Sequence, residues 1–199
     1  MSEAKVDSGR RTWIAITCGA GAVGGAAVAV PFVASFAPSE RAKAAGAPVQ
    51  ADISGLRMGE MMTVEWRGKP VWIVRRTPEQ VAELPKLDGQ LADPFSKRNP
   101  SELTPEYARN IPRSIKPEIF VCVGICSHLG CSPTGKFTPG PQPSLPDDWQ
   151  GGFFCPCHGS TFDMAGRVFK NKPAPDNLEV PRHMYLSDTQ LLIGEDSKG

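Results

Sequence analysis

The sequence has almost no net charge, because 22 Lys and Arg residues face 21 Asp and Glu residues and leave a formal charge of +1. A chain so close to neutral has no strong field to attract nucleic acid or acidic partners. Residues 12–39 contain no Asp, Glu, Lys or Arg at all. The charges that the chain has are therefore confined to a short N-terminus and to the part after residue 39.

The uncharged segment is apolar from residue 12 to residue 37. A helix needs about 20 such residues to cross a membrane, so this segment is long enough to span one. Arg10 and Arg11 stand directly before it. They fit a positive-inside flank and also a twin-arginine export signal. We predict that residues 1–11 are cytoplasmic and carry that signal, and that residues 12–37 form a single transmembrane anchor. Cleavage after Ala44 is the weaker alternative.

Residues 38–48 read PSERAKAAGAP, a small and polar stretch bounded by prolines. It has little to bury, so it fits either a passive tether or a hinge, and composition alone favours the tether. The remainder, residues 49–199, is long enough for one globular domain. The chain has 20 Gly and 20 Pro, which favours a loop-rich, mainly β fold over a helical bundle.

Local patterns in this domain predict short elements. Residues 61–66 alternate between apolar and polar, and a turn at 67–69 leads to a buried strand at 71–74, so the three form a β-hairpin with Trp66 and Trp72 in the core. Thr77 followed by Pro78 and Gln80 marks a helix start. We expect a second short helix at 104–106, strands at 119–125, 167–169, 178–180 and 191–193, and a surface position for His183. Short strands with frequent turns predict antiparallel sheets.

Two Cys/His segments carry the chemistry: Cys-Ser-His-Leu-Gly-Cys at 126–131 and Cys-Pro-Cys-His-Gly-Ser at 155–160. Each offers a thiolate, an imidazole and a second cysteine. Two thiolates and two imidazoles suit a Rieske 2Fe–2S cluster, in which two His replace two Cys on one iron. We predict that Cys126 and Cys155 bind one iron and that His128 and His158 bind the other.

Cys131 and Cys157 remain, and in an exported domain a disulfide between them is the default. A zinc site is the main alternative for the ligand set, but zinc sites usually pair Cys with Cys and His with His at short spacing. The mixed and duplicated pattern here favours the iron–sulfur cluster. Cys18 and Cys122 lie in apolar runs and read as inert small residues, with Cys122 in the core.

The two segments resemble the cluster motif of the high-potential Rieske proteins. Arg10 with Arg11, one anchor, a short linker and the sequence Lys-Pro-Ala-Pro at 172–175 extend the resemblance over the whole chain, to the iron–sulfur subunits of bacterial ubiquinol–cytochrome c oxidoreductases. The resemblance implies a mainly β Rieske domain of antiparallel sheets, with a cluster-binding subdomain at about 124–176, behind a single N-terminal transmembrane helix.

The resemblance also implies roles for residues around the cluster. Leu129 would shield it, Ser160 would donate a hydrogen bond to a cluster sulfur, and Pro173 would lie in a proline loop covering a third side. Relatives often have Tyr where this chain has Phe162, and that Tyr donates to a ligand sulfur. We therefore expect a lower reduction potential than in Tyr-bearing relatives. The segment 132–154 is longer than in many relatives and is either a solvated loop or a contact with another subunit.

The function that the resemblance implies is oxidation of ubiquinol with transfer of electrons to a c-type cytochrome. His158 would contact the quinol and accept its proton, and residues 38–48 would then act as a hinge. The expected partners are cytochrome b and c-type cytochrome subunits in a dimeric complex, with one 2Fe–2S cluster, no nucleic acid, a periplasmic domain and a cytoplasmic N-terminus at the bacterial inner membrane. A Rieske electron carrier, the Rieske subunit of an arsenite oxidase and a plastoquinol-oxidising homologue are the alternatives.

Overall fold

The computed structural model describes residues 8–40, 42, 46–98 and 103–197. It divides into two compact units, Met1–Ala44 and Ala45–Gly199. The first unit contains helix α1, Ser8–Ala34, whose 27 residues extend about 40 Å at 1.5 Å per residue. An 18-residue stretch of α1 has a mean hydropathy of 1.8, and the side chains of α1 are exposed throughout, so α1 can cross a membrane by length and composition.

Helix α1 differs slightly from the predicted anchor at both ends. It already includes Arg10 and Arg11, and it ends at Ala34 although Pro31 lies inside it. Pro31 lacks an N–H donor and sits in the last turn, where the Ser35 N–H still reaches the Pro31 carbonyl at 3.0 Å. Residues 41 and 43–45 of the predicted linker lie outside the described residues, so the linker stays a prediction.

The described part of the second unit is built from short strands with three small helical segments. They are β1 Val49–Asp52, β2 Met61–Trp66, β3 Lys69–Arg75, α2 Pro78–Glu83, β4 Ile119–Val123, β5 Thr134–Lys136, β6 Gly152–Cys155, β7 Ser160–Phe162, β8 His183–Tyr185 and β9 Gln190–Ile193, with 3₁₀ helices at Leu84–Gln90 and Glu106–Ala108. In the described part of the chain they form three antiparallel sheets, ordered β1-β9-β8, β2-β3-β4 and β5-β6-β7. The predicted mainly β fold is confirmed.

The hairpin of β2 and β3 forms as predicted, with Met61 opposite Val74 and Trp66 opposite Lys69. Its two turn residues, Arg67 and Gly68, both have positive φ, at 53° and 71°. Two left-handed residues in succession match the right-handed twist of the strands, which is why such turns join hairpins tightly.

The centre of the domain is the sheet β2-β3-β4, which separates two cores. Successive side chains of a strand point to opposite faces. Ile73 and Val121 accordingly pack with the sheet β1-β9-β8, whereas Trp72 and Cys122 pack against Phe153 and the cluster-side sheet β5-β6-β7. Both faces of β3 and β4 are covered, so these strands read as continuous apolar runs. The core positions predicted for both tryptophans and for Cys122 are confirmed.

Helix α2 begins with the predicted capping box. The Thr77 hydroxyl accepts from the Gln80 N–H at 3.3 Å, and the Gln80 side chain accepts from the Thr77 N–H at 2.9 Å. The second predicted helix is a single 3₁₀ turn, Glu106–Ala108.

Two predicted strands, 167–169 and 178–180, are wrong. Residues 168 and 169 make only isolated bridges, and 178–180 are irregular. The N–H of Val168 donates to the Asn177 side chain and the N–H of Val180 to the Leu103 carbonyl, so these donors are taken outside any ladder.

Three arginines without exposed surface hold the irregular segment that follows β7. Arg76 donates to the carbonyls of Pro112, Met164 and Pro117, and Arg113 donates to those of Ala165, Gly166 and Leu178. Burial lowers the pKa of Arg113 to about 10, with the charge of Asp163 opposing the shift. Guanidinium groups carry several donors in a fixed fork, so each one can satisfy several carbonyls that no strand partner reaches.

Arg167 completes this arrangement with a buried ion pair. Its Nη2 lies 2.7 Å from Asp163 Oδ2, and neither side chain is exposed. Asp163 also accepts the N–H groups of Ala165 and Arg167, which closes the turn after β7. Arg167 reaches across to Asp88 and to the Leu84 carbonyl. The chain leaving β7 is thereby fastened to the 3₁₀ helix Leu84–Gln90.

His183 is buried, with 2% of its surface exposed, and its predicted surface position is wrong. Its Nδ1–H donates to the Pro181 carbonyl at 2.8 Å, and its backbone N–H donates to the Tyr107 hydroxyl. Burial lowers its pKa below the ordinary value of 6.5, although the bond to Pro181 opposes the shift.

We expect His183→Asn to flatten the pH dependence of stability. The folded state disfavours the imidazolium, so stability is full above pH 6.5 and falls as the pH drops below it, where the unfolded chain takes up the proton first. Asn keeps a donor for Pro181 but does not titrate. Urea unfolding from neutral pH to about pH 5 measures the effect. Tyr107→Phe, which keeps the imidazole, should retain the slope, and an unchanged slope in His183→Asn would contradict the assignment.

Candidate metal centre

The two Cys/His segments fold into matching turns. The Gly130 N–H donates to the Cys126 carbonyl at 3.1 Å, and the Gly159 N–H donates to the Cys155 carbonyl at 3.0 Å. Both glycines have positive φ, at 80° and 76°, a conformation that costs glycine nothing. The glycine at the same offset in each motif closes the turn, so each turn presents a cysteine and a histidine from one short loop.

The two turns bring together the thiols of Cys126 and Cys155, which are both free and both buried. The Cys126 thiol has a raised pKa: burial is the main cause, and the hydrogen bond and charge of Cys155 raise it further. The His128 N–H and the Ser160 hydroxyl donate to the Cys126 sulfur and oppose the shift. Two cysteine sulfurs from separate loops thus meet at a point supplied with hydrogen-bond donors.

The two histidines meet beside these thiols. The ring centroids of His128 and His158 are 4.7 Å apart and the rings are nearly perpendicular, at 87°. His128 Nδ1 is buried and has no hydrogen-bond partner among the described residues. An unpartnered buried ring nitrogen is costly, so it points to a ligand at that atom. His158 is exposed at the edge of the site.

Cys131 and Cys157 form a disulfide that joins the two turns. The predicted pairing is confirmed. The sulfurs of Cys131, Cys155 and Cys157 all lie within 4.8 Å of one another, a grouping that resembles a metal site. Two of these sulfurs are bonded to each other, so Cys155 is the one free thiol of the three, and Cys126 is the other free thiol in the two turns.

A third loop, residues 172–176, is tied to both turns by serine hydroxyls. The Ser127 hydroxyl donates to the Asp176 carbonyl at 2.7 Å and accepts the Asp176 N–H at 3.3 Å. The Ser160 hydroxyl accepts the Ala174 N–H at 3.0 Å. The loop therefore lies against the site as the resemblance predicted. Within it Ala174 is buried and Pro173 is exposed.

Leu129 and Phe162 differ in their exposure to solvent. The Leu129 side chain is 70% exposed at the tip of the first turn, directly after His128, whose ring lies against that of His158. Phe162 is fully buried and packs in the same core as Cys126 and Cys155. Leu129 is thus available to a partner surface, whereas Phe162 places an aromatic ring without a hydroxyl behind the ligand sulfurs.

The proline-rich segment 132–154 is folded at both ends. It contains β5 and most of β6, and its Trp149 is buried with Nε1–H donating to the Lys136 carbonyl at 2.8 Å. Pro139, Pro141, Pro143 and Pro146 are exposed. The solvated-loop interpretation therefore describes only the middle of the segment.

Comparison with known proteins assigns the family. A profile described as the Rieske [2Fe-2S] domain matches residues 97–182, and one described as "Ubiquitinol-cytochrome C reductase Fe-S subunit TAT signal" matches residues 1–39. The chain is 58% identical to the ubiquinol-cytochrome c reductase iron-sulfur subunit of Allochromatium vinosum, over 94% of this chain and 88% of that one. The chain belongs to the family of the ubiquinol-cytochrome c reductase iron-sulfur subunits.

Other relatives support the same family assignment. The ubiquinol-cytochrome c reductase iron-sulfur subunit of Bradyrhizobium diazoefficiens is 38% identical over 93% of this chain and 94% of that one. A mitochondrial cytochrome b-c1 complex Rieske subunit from Solanum tuberosum is 41% identical over 82% of this chain and 52% of that one. The family members are oxidoreductase components of the cytochrome bc complex, and the matched domain makes a 2Fe–2S cluster the cofactor of this chain.

The residues of the site fit that cofactor. Two free thiols and two imidazoles meet between two turns, and one imidazole nitrogen is buried without a partner. This is the mixed donor set that a Rieske cluster takes, with sulfur on one iron and nitrogen on the other. The ligand set Cys126, His128, Cys155 and His158 remains a proposal that this geometry supports.

The sequence motifs did not reveal the supports behind the turns. Hydrogen bonds from Arg76, Arg113, Arg167 and Asn177 hold the segment that follows β7, and Ser127 ties the first turn to the loop 172–176. The one available signal was Asp163 with Arg167 at i,i+4, a spacing that pairs opposite charges on helices, although no helix forms here.

We expect Ser160→Ala and Ser127→Ala to separate two effects. Each variant removes the hydroxyl that accepts an amide N–H of the proline loop, a bond worth about 1 kcal/mol, so amide exchange at Ala174 or Asp176 should quicken about fivefold. Only the Ser160 hydroxyl also donates to the Cys126 sulfur. Ser160→Ala should therefore lower the reduction potential in protein-film voltammetry, and Ser127→Ala should leave it nearly unchanged. Equal shifts in both variants would contradict this division.

Proposed function

We propose that this chain is the iron–sulfur subunit of a ubiquinol–cytochrome c oxidoreductase. The likeness to such subunits runs over 94% of the chain and includes the apolar helix as well as the cluster domain, and this observation carries the proposal. When bound, the cluster supplies one-electron chemistry between ubiquinol and a c-type cytochrome. The chain's own residues bind the cluster, orient the substrate and handle the proton.

The metal ligands that we propose are Cys126 and Cys155 on one iron and His128 and His158 on the other. We assign Nδ1 of His128 to iron, because this atom is buried and has no hydrogen-bond partner among the described residues, and we assign the same atom of His158 by analogy with the matching turn. Nε2 of His158 then faces solvent at the exposed edge of the site. There it accepts a hydrogen bond from the quinol hydroxyl and takes up its proton.

Leu129 supports this reaction from the first turn. Its exposed side chain offers an apolar surface on the turn whose His128 ring lies against that of His158. Against a partner surface this side chain excludes water from the contact, which strengthens the hydrogen bond to His158. Ser160 and the proline loop with Pro173 cover the site from the other sides and keep the ligand turns in place.

The proposed position of the chain in the membrane rests on the twin-arginine sequence and on helix α1. The twin-arginine signal exports folded domains, so residues 1–11 stay in the cytoplasm, α1 anchors the chain in the inner membrane and residues 49–199 lie in the periplasm. The partners are cytochrome b and a c-type cytochrome in a dimeric complex. Residues 38–48 act as the hinge that carries the domain between them.

Purification of the complex from membranes tests this function. We expect the chain to copurify with b- and c-type haems and to reduce cytochrome c from ubiquinol. The paramagnetic resonance signal of the reduced cluster should shift when an inhibitor occupies the quinol site. His158→Gln should abolish quinol oxidation. Copurification with a molybdenum cofactor, as in an arsenite oxidase, would overturn the proposal.

Phe162→Tyr tests the role of the ring behind the ligand sulfurs. The added hydroxyl can donate to a cysteine sulfur, which stabilises the reduced state, so we expect the midpoint potential to rise. Phe169→Tyr is the matched control, because Phe169 packs against Trp149 away from the core that holds the ligand cysteines. Protein-film voltammetry measures both. An unchanged or lower potential in Phe162→Tyr alone would contradict the role.

A further inference from the structure

A free thiol lies beside the disulfide that joins the two turns. The Sγ atoms of Cys131, Cys155 and Cys157 all lie within 4.8 Å of one another, and Cys131 is bonded to Cys157. Cys155 is free. A thiolate attacks a disulfide at one of its two sulfurs, and here both of them lie within 4.8 Å of the Cys155 Sγ. A sulfur that we assign to iron is therefore also placed to react with the disulfide.

We propose that Cys155 exchanges into this disulfide once iron has left it, so that loss of the cluster is followed by a change of disulfide pairing. The Cys155 thiolate forms a bond to Cys131 Sγ, and the bond between Cys131 and Cys157 breaks. Cys157 leaves as a thiolate and takes up the proton that Cys155 released. One disulfide and one thiol are present before and after, so the reaction needs no oxidant or reductant.

Exposure decides which sulfur is attacked. Cys157 is exposed, whereas Cys131 is half-buried, so water stabilises the thiolate of Cys157 better as the leaving group. Attack on Cys157 would instead join two cysteines separated by Pro156 alone. So small a ring strains the dihedral angle that a disulfide prefers. The favoured product is a bridge between Cys131 and Cys155 with Cys157 free.

The reaction is confined to these three sulfurs. Cys155 is 2% exposed, so external thiols reach it poorly, while the sulfurs of Cys131 and Cys157 already lie within 4.8 Å of its own. Holding reacting groups together raises their effective concentration far above that of any thiol in solution. Cys122 is fully buried, and burial raises its pKa to about 12, so it does not compete.

The product cannot hold the cluster, because Cys155 is bonded to Cys131 and only Cys126 remains of the two ligand thiols. The domain therefore has to receive its cluster before this exchange takes place. A domain that loses iron in an oxidising compartment loses its ability to be reloaded. This inference rests on the ligand assignment of Cys155 and not on the reaction with quinol.

The test identifies which cysteines are free thiols, and can therefore be alkylated, at successive times after iron is removed. The full-length protein, with its cluster and native disulfide, is treated with an iron chelator in detergent without oxygen. Samples are taken over time, alkylated with N-ethylmaleimide and digested without reduction, and fragmentation in the mass spectrometer locates the label. We expect the label to move from Cys155 to Cys157 at a rate that does not depend on protein concentration.

Other outcomes contradict the proposal. A label that stays on Cys155 at all times shows that no exchange occurs. Bridges to Cys122 or Cys18 show unfolding and random pairing instead of local exchange. None of these readouts involves quinol, so failure of this proposal leaves the proposed function untouched.

A matched pair of variants gives a second test. Cys126→Ser and Cys155→Ser each remove one proposed ligand, so neither holds the cluster. After oxidation in a glutathione buffer, Cys126→Ser should contain a disulfide between Cys131 and Cys155. Cys155→Ser should contain only the native disulfide between Cys131 and Cys157. A Cys126→Ser protein with the native bridge alone would overturn the proposal.

Discussion

A buried ion pair between Asp163 and Arg167 fixes the chain directly after β7, the strand that follows the second Cys/His turn. Asp163 and Arg167 are both without exposed surface, and Arg167 also reaches Asp88 and the Leu84 carbonyl. Buried charges need excellent geometry and further hydrogen bonds to offset the cost of leaving water. Here each charge has several partners. The segment that leads from β7 to the proline loop is consequently fixed to the body of the domain, and the loop's position over the site follows from it.

What could be predicted from the sequence was encoded within a few neighbouring residues. The capping box at Thr77, the turn at Arg67 and Gly68 and the glycines of the two Cys/His segments each need only local contacts. The ligand set that we propose also rests on local spacing, because each turn supplies one thiol and one imidazole. The disulfide followed by elimination once those four residues had been assigned.

The features of the fold that could not be predicted depend on contacts between segments far apart in the sequence. Asn177 bonds to the carbonyl of Asp93, 84 positions away, and Arg113 bonds to residues 52 to 65 positions away. No periodicity marks such contacts. Residues 167–169 and 178–180 look like strands because they are apolar and buried, yet side chains and irregular backbone satisfy their donors. His183 looked like a surface residue because its partners, Tyr107 and Pro181, are recognisable only in the folded chain.

The two serine ties to the proline loop have a consequence for the rate of electron transfer. Ser127 and Ser160 connect both ligand turns to one loop, and the disulfide connects the turns to each other. A site held from three sides has little freedom to adjust when its charge changes. Its dipoles are already oriented before the electron arrives. The protein therefore contributes a small reorganisation energy, which favours rapid transfer in both directions.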